Sequence, residues 1–213
     1  MSDRFGPIEP AERTPAAVLA ALRAGNARYV ANRGRHPHQA PDDRAALIGD
    51  QRPIAAVLGC SDARVPPSVI LDQGLGDLFV VRVAGHVLGD EVVASVRFAV
   101  VQLGVPVVLV LGHEGCGAVG LGLDAVRAGE DPTAPLIREI APAARAAWTA
   151  CGGERRACAL ADAVRRHARG TAAALRDDAL LAPHVAAGDL WIGSSVYRMD
   201  SGRVDALDGA GPA

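Results

Sequence analysis

Two apolar runs in this chain each end in side chains that can bind a transition metal. IAAVLG at 54–59 is followed by Cys60, and VPVVLVLG at 105–112 is followed by His113 and, three positions later, by Cys116. Both runs are continuous and rich in β-branched residues, as strands buried on both faces are. The carboxyl ends of parallel strands border the crevice where ligands bind. Two thiolates and an imidazole meeting there predict a zinc site with a fourth position free for chemistry.

The segment CSDAR at 60–64 places a carboxylate and a guanidinium just after the first cysteine. A carboxylate two residues from a metal-binding thiolate can coordinate the metal or accept a hydrogen bond from metal-bound water, and Arg64 can hold Asp62 with two hydrogen bonds. In the alternative interpretation, Asp62 caps a local turn and Arg64 is its surface partner.

The segment HEGCG at 113–117 supplies the other two candidate ligands. Only two residues separate His113 from Cys116, so both can face one ion across a tight turn, and the two glycines permit unusual backbone angles. Taken alone, this segment is more typical of a core histidine and a buried free thiol than of a metal site. Its position after a strand, beside a second strand that ends in CSDAR, favours the metal site.

The elements that position these residues predict an α/β fold: a mostly parallel central β-sheet flanked by helices, with an N-terminal helical arm and a C-terminal helical region. Thr14 and Pro15 predict a helix start, and 33–53 predicts a loop with a short helix at 42–48. The remaining predicted elements are the two strands above, a strand LFVVRV, a strand DLWIGSSVY, and helices at PPSVILDQG, EVVASVRFAVVQLG, GCGAVGLGLDAVRAG, 134–150 and 155–181. We expect one domain over 1–213, with the arm at about 1–50, the metal-site core at about 51–130, and the helical and last-strand region at about 131–206.

Composition indicates no nucleic-acid or membrane partner. The net charge is −2 and the most apolar window, 92–112, is interrupted by Arg97, Gln102 and Pro106. The N-terminus lacks the pattern of an export signal, which favours a cytoplasmic location. In that compartment Cys151 and Cys158 are expected to be inert free thiols rather than a disulfide. Five further histidines are expected to be solvated or at an interface, namely His36, His38, His86, His167 and His184.

Together, CSDAR and HEGCG make the chain resemble a β-class carbonic anhydrase, over roughly 20–206 and most densely between 51 and 120. The resemblance implies one Zn²⁺ per chain held by Cys60, His113 and Cys116, with Asp62 or water in the fourth position and Asp62 and Arg64 as a catalytic dyad. It implies reversible hydration of carbon dioxide to bicarbonate and a proton through a zinc-bound hydroxide. It also implies a homodimer or homotetramer with active sites at the subunit interface, where the leading helix embraces the partner.

The resemblance extends to the substrate pocket and favours the plant-like branch of the family. It implies that Gln51 hydrogen-bonds substrate and that the other pocket residues are Phe79, Ala84, Phe98 and Gly117. Phe98 departs from a tyrosine common in that branch, and RVAGH at 82–86 replaces the common RNxAN.

The other branch binds regulatory bicarbonate through a tryptophan, an arginine and a tyrosine. Arg82 and Tyr197 match two of these residues, but Val57 stands at the tryptophan position. The resemblance therefore implies no bicarbonate regulation.

Two alternative functions stay open at this point. The same zinc centre could act on a related small electrophile such as carbon disulfide. In the other alternative, a permanent bond from Asp62 closes the zinc site, and the chain is a non-catalytic zinc-stabilised binding protein.

Overall fold

The computed structural model describes residues 13–130 and 134–208, whose centre is a five-stranded sheet. The spatial order of its strands is β2-β1-β3-β4-β5, and all pairs are parallel except β4 with β5. The strands are β1 (Ala55–Gly59), β2 (Leu78–Arg82), β3 (Val107–His113), β4 (Trp191–Tyr197) and β5 (Val204–Ala206). The predicted α/β architecture with a mostly parallel sheet is confirmed.

Helices cover the sheet and its ends. They are α1 (Pro15–Val30), α2 (Pro41–Ala46), α3 (Pro67–Ile70), α4 (Asp90–Val101), α5 (Gly117–Ala128), α6 (Pro135–Ala150), α7 (Arg156–Arg176) and α8 (Ala182–Ala187), with a short 3₁₀ helix at Ala84–His86. The predicted start of α1 is confirmed, because the Thr14 hydroxyl accepts the Ala17 N–H at 3.2 Å and Pro15 is the first helical residue. Residues 1–12 of the predicted arm and the predicted boundary at residue 131 lie outside the described residues.

Side-chain alternation along β1 and β3 gives the sheet two apolar faces. Val57 and Leu109 belong to the cluster that contains α1, whereas Leu58 and Val110 belong to the cluster that contains α4 and the second half of α7. Every residue of both strands is buried. This explains why the two runs are apolar without interruption, since neither face of the central strands meets water.

The C-terminal region differs from the sequence-based expectation in three places, one of which is the additional helix α8 (Ala182–Ala187). The predicted helix at 155–181 ends at Arg176, because the carboxylate of Asp178 accepts the N–H of Leu180 and the guanidinium of Arg97 and so stabilises a turn. The short antiparallel strand β5 was not predicted, because its three residues are only half-buried or exposed and lack a buried-strand pattern.

The prediction that Cys151 and Cys158 are free thiols is wrong. They are joined by a disulfide, with Cα atoms 6.1 Å apart, instead of being free thiols. Cys151 follows the last residue of α6 and Cys158 lies in the first turn of α7. Gly152 and Gly153 between them have left-handed backbone angles, which turn the chain tightly enough for the sulfurs to meet.

None of the helices within residues 13–130 and 134–208 has both the length and the hydropathy that a membrane span requires.

Candidate metal centre

The sheet brings the three predicted ligands to one place. Gly59, the last residue of β1, pairs with Leu111 of β3, so Cys60 emerges next to His113 at the carboxyl edge. Cys116 follows one short turn later. The ligand atoms of the three side chains lie within 4.8 Å of one another, the two sulfurs are 4.0 Å apart, and all three residues are buried.

The imidazole of His113 is oriented toward this cluster. Its Nδ1 lies 3.0 Å from the Glu114 carbonyl oxygen, which can only accept a hydrogen bond, so the ring hydrogen is on Nδ1. The Nε2 atom therefore carries a lone pair. The His113 side chain is 0% exposed, and Nε2 has no hydrogen-bond partner in the described part of the chain. A buried ring nitrogen without a partner is costly, and binding of a metal ion would remove this cost.

Backbone N–H groups converge on the sulfur of Cys60. Asp62 N and Gly85 N donate to Cys60 Sγ at 3.4 and 3.3 Å. The contact with Cys116 is the largest of the causes that lower the pKa of Cys60 to about 4, and the same contact, with burial, raises the pKa of Cys116. The two sulfurs are close enough to each other for one soft divalent cation to bind both.

Two residues that follow β4 hold the turn between His113 and Cys116 in place. The Glu114 carboxylate pairs with Arg198 Nε at 3.0 Å and accepts the Met199 N–H at 3.2 Å. Gly115 has a φ of +63°, which glycine adopts without strain. Cys116 then occupies the N-cap of α5, where the backbone N–H groups of Ala118 and Val119 act against the rise in the pKa of Cys116.

Asp62 lies at the rim of the cluster and is held by Arg64. Arg64 Nε and Nη2 donate to the two carboxylate oxygens at 2.9 and 2.7 Å, and the Arg64 backbone N–H donates to Oδ1 at 2.9 Å. The Arg64 guanidinium thus keeps the pKa of Asp62 well below its usual range. Asp62 Oδ2 is 3.9 Å from His113 Nε2, so the carboxylate borders the ligand cluster without joining it.

The donor set fits zinc. Two sulfurs that are each about 2.3 Å from a tetrahedral zinc lie roughly 3.8 Å apart. The two sulfurs here are 4.0 Å apart. Two sulfurs and one neutral imidazole nitrogen also match the ligand types that zinc prefers.

Only some of the predicted pocket residues lie beside the ligand cluster. Ala84 precedes Gly85 and Gly117 follows Cys116, so both adjoin the cluster. The rings of Phe79 and Phe98 are 6.0 Å apart, and Phe98 is 45% exposed. The side chain of Gln51 is exposed and makes no hydrogen bond with the described residues. This single chain therefore brings together the ligands and the Asp62–Arg64 pair, but leaves Gln51 and Phe98 open to solvent.

Arg82 and Tyr197, the two matches to the bicarbonate-binding branch, have other partners here. Arg82 donates to the Cys60 carbonyl at 2.8 Å and to the Asp62 carbonyl at 2.6 Å, which fixes the loop after β1. The Tyr197 hydroxyl lies 3.2 Å from the Tyr29 hydroxyl. Arg82 thus positions the ligand loop, a role that sequence reasoning missed.

The expectation that His86 and His167 are solvated or at an interface is wrong. His86 is 0% exposed, His167 is 6% exposed, and their rings lie 4.7 Å apart. Both are enclosed because α7 packs over the 3₁₀ helix and the end of β3. His36 is exposed, as expected. His184 is half-buried, with its Nδ1 3.2 Å from a carboxylate oxygen of Asp189, and the Nδ1 of His38 lies 2.8 Å from a carboxylate oxygen of Asp77.

Comparisons with known proteins agree with this geometry. The family model for carbonic anhydrase matches residues 55–204, which include every residue of the cluster. The chain belongs to the β-carbonic anhydrase family. Carbonic anhydrase 2 of Mycobacterium tuberculosis is 40% identical to it over 199 residues, covering 92% of this chain and 95% of that protein. The carbonic anhydrase of Mycolicibacterium smegmatis is 40% identical over 193 residues, covering 90% and 92%.

A solved β-carbonic anhydrase has the same fold. The enzyme CafA of Aspergillus fumigatus superposes with a TM-score of 0.71 at 25% identity, covering 91% of this chain and 92% of that one. As a β-carbonic anhydrase, the chain is an enzyme of carbon dioxide hydration, and the cysteine and histidine cluster is the candidate centre for that reaction.

Proposed function

We propose that this β-carbonic anhydrase hydrates carbon dioxide with one Zn²⁺ per chain, held by Cys60, His113 and Cys116. The observation that carries the proposal is the His113 Nε2 atom, which is buried, has no hydrogen-bond partner among the described residues and lies beside two sulfurs that are 4.0 Å apart. Carbon dioxide is an uncharged, weak electrophile, so its rapid hydration at neutral pH needs a strong nucleophile. A bound Zn²⁺ supplies that chemistry by lowering the pKa of a water molecule to about 7.

Asp62 and Arg64 orient the attacking oxygen in this proposal. The ionised Asp62 Oδ2, beside the cluster, accepts a hydrogen bond from the water molecule and directs its lone pair toward carbon dioxide. Arg64 holds both carboxylate oxygens, so Asp62 stays ionised and remains beside the ligand cluster without joining it. Release of Arg64 would let Asp62 enter the fourth position and close the site.

Gln51, Phe79, Ala84, Phe98 and Gly117 would form the substrate pocket, with the aromatic rings as an apolar wall and the Gln51 amide donating to a bicarbonate oxygen. Gln51 and Phe98 are exposed in the single chain, which supports a pocket completed by a second copy in a homodimer or a homotetramer. The cytoplasmic location expected from the sequence remains part of this proposal.

The proposal is tested by metal analysis and by ¹⁸O exchange between carbon dioxide and water on the same preparation. We expect one zinc per chain and catalysed exchange in the wild type. Asp62→Asn should keep its zinc and lose about 100-fold in kcat, because the amide cannot accept the hydrogen bond in the same way. Asp124→Asn is the matched control, since Asp124 binds Arg156 through the same two-point geometry, at 2.8 and 2.7 Å, away from the ligands.

A metal-free wild type that still catalyses exchange would contradict the zinc proposal. Exchange by Asp62→Asn at the wild-type rate would remove Asp62 from the mechanism. Sulfide release from carbon disulfide, without exchange from carbon dioxide, would support the alternative substrate instead.

A further inference from the structure

His167 lies on α7, far along the chain from the metal ligands, yet it contacts the turn behind Cys60. Its Nε2 is 2.9 Å from the carbonyl oxygen of Gly85, in a buried contact. A carbonyl oxygen only accepts hydrogen bonds, so the hydrogen of the neutral ring must be on Nε2. His167 is thus a donor to Gly85.

Gly85 connects this donor to the metal centre. Its own N–H donates to Cys60 Sγ at 3.3 Å, and its φ is +63°, within the 3₁₀ helix. A side chain at this position would meet Ala118 and Ile140, each with an atom 3.1 Å from the Cβ. The residue is therefore held between the sulfur of Cys60 on one side and the imidazole of His167 on the other.

Packing alone does not explain a histidine here. Burial lowers the pKa of His167, with the Gly85 hydrogen bond and Glu139 acting in the opposite direction, and burial also lowers the pKa of the adjacent His86. Both rings are therefore neutral at pH 7. An aliphatic side chain would fill the same space without the cost of burying a polar ring. The directed N–H group is what distinguishes His167 from such a residue.

We propose that His167 is a positioning residue for the metal centre: its Nε2–H fixes the Gly85 carbonyl and thereby keeps the Gly85 N–H on the Cys60 sulfur. The inference rests on the proposed binding of zinc by Cys60, His113 and Cys116. N–H groups that donate to a metal-bound thiolate stabilise its charge and hold its orientation, and loss of such partners typically costs about 10- to 100-fold in metal affinity or activity.

A nearly isosteric pair of variants separates hydrogen bonding from packing. His167→Gln keeps an N–H donor, whereas His167→Met keeps a similar length and volume without one. We would measure the rate at which zinc passes from the holoenzyme to an excess of a chromophoric chelator. We expect the zinc-release rate of His167→Gln to stay within about 2-fold of the wild-type rate. We expect His167→Met to release zinc about 10-fold faster than the wild type.

A second readout is the sulfur-to-metal charge-transfer absorption of the Co²⁺-substituted enzyme, which reports on the thiolate directly. We expect it to change in His167→Met and to stay unchanged in His167→Gln. Thr171→Ala is the control, because Thr171 is also buried on α7, one turn further along. It should match the wild type in both measurements.

Equal zinc release and equal Co²⁺ spectra for the Gln and Met variants would overturn the inference, because they would reduce His167 to a packing residue. Should the Met variant fail to fold, His167→Phe replaces it, since phenylalanine keeps a ring for the contact with His86 but has no N–H. A wild type that binds no zinc would overturn the zinc proposal and this inference together. A wild type that holds zinc beside variants that release it equally would overturn this inference alone.

Discussion

At the scale of single residues, geometry distinguishes the Asp62–Arg64 pair from the other ion pairs. The Asp124–Arg156 pair has the same two-point hydrogen bonding on the surface of α5 and α7. Asp62 differs because its second oxygen also faces the buried imidazole of His113 at 3.9 Å. The same pair of residue types is thus a surface contact in one place and part of a candidate active site in another.

We predict that Arg64→Lys lowers kcat by about 10-fold while zinc content stays unchanged. Lysine keeps the positive charge but cannot donate to both carboxylate oxygens in one plane, so Asp62 is held less firmly. The measurement is ¹⁸O exchange together with metal analysis. Arg156→Lys, in the matched surface pair, should leave kcat unchanged. A wild-type rate in Arg64→Lys would show that charge alone is sufficient.

At the scale of elements, buried polar contacts join α1 and the loop after it to a residue just after α3. The carboxylate of Asp72, just after α3, accepts hydrogen bonds from Arg28 Nε on α1 and from the backbone N–H groups of Arg35 and His36. Burial opposes ionisation of Asp72, but these donors outweigh it and lower its pKa. Because the pKa of Asp72 is lower in the folded protein than in the unfolded chain, its ionisation stabilises the folded protein. This stabilisation is fully present at pH values above the pKa of the unfolded chain.

We therefore predict that Asp72→Asn lowers the free energy of unfolding by about 1.5 to 3 kcal/mol at pH 7. The destabilisation by Asp72→Asn should become smaller below about pH 4, because the Asp72 carboxyl group then binds a proton in the unfolded chain before it does so in the folded protein. Asparagine tolerates the positive φ of 47° at this position, so the change tests the charge rather than the backbone.

Urea unfolding at pH 7 and pH 3.5 measures this difference. Asp50→Asn is the control, because Asp50 and its partner Arg52 are both largely exposed, and such a pair adds little. A destabilisation by Asp72→Asn that is the same at both pH values would contradict the assignment to ionisation.

The disulfide between α6 and α7 gives a second prediction at this scale. It closes a loop between positions seven residues apart, which restricts the unfolded chain. For a loop of this size we expect about 2 to 3 kcal/mol of stabilisation. Cys158→Ala should lose this amount, and the variant is chosen because Cys151 is the more buried of the two.

The check is thermal unfolding with and without a phosphine reductant. Reduction should lower the Tm of the wild type to near that of Cys158→Ala and leave the variant unaffected. Identical wild-type curves under both conditions would show that the disulfide does not contribute.

At the scale of the whole molecule, the sheet ends in an edge strand that residues 13–130 and 134–208 leave uncovered. β2 is an edge strand, and large apolar side chains on it and on the neighbouring α4 are exposed: Val80 at 38%, Phe98 at 45% and Val101 at 47%. An exposed edge strand beside an apolar surface is typical of an interface. Because Phe98 is also a proposed pocket residue, assembly and activity should be linked.

We predict that Val101→Arg produces a species near the 21.9 kDa mass of one chain, whereas the wild type has at least twice that mass. A buried, unpaired guanidinium is strongly unfavourable at an interface between copies. Light scattering after size exclusion measures the mass, and ¹⁸O exchange should fall in parallel although zinc is retained.

Leu121→Arg is the control for this prediction, because Leu121 is 59% exposed but lies on α5 instead of α4. It should assemble as the wild type does. A wild type that is already monomeric, with full activity, would contradict the shared pocket.

The sequence by itself determined the ligand types and their approximate meeting place. Continuous apolar runs can be recognised from local pattern, and a parallel sheet places their carboxyl ends at one edge, so Cys60, His113 and Cys116 could be brought together without coordinates. The contact between Asp62 and Arg64 could also be predicted from the sequence, because side chains two residues apart can reach each other.

Only the tertiary structure decided which residues of α6 and α7 contact one another or the rest of the molecule. The Gly85 carbonyl meets His167 across 82 positions, and Cys151 meets Cys158 because two glycines turn the chain between packed helices. Neither contact has a local signal, because each depends on how α6 and α7 pack against the rest of the molecule. Burial of His86 and His167 follows from the same packing, which is why polar residues expected at the surface lie behind the metal centre.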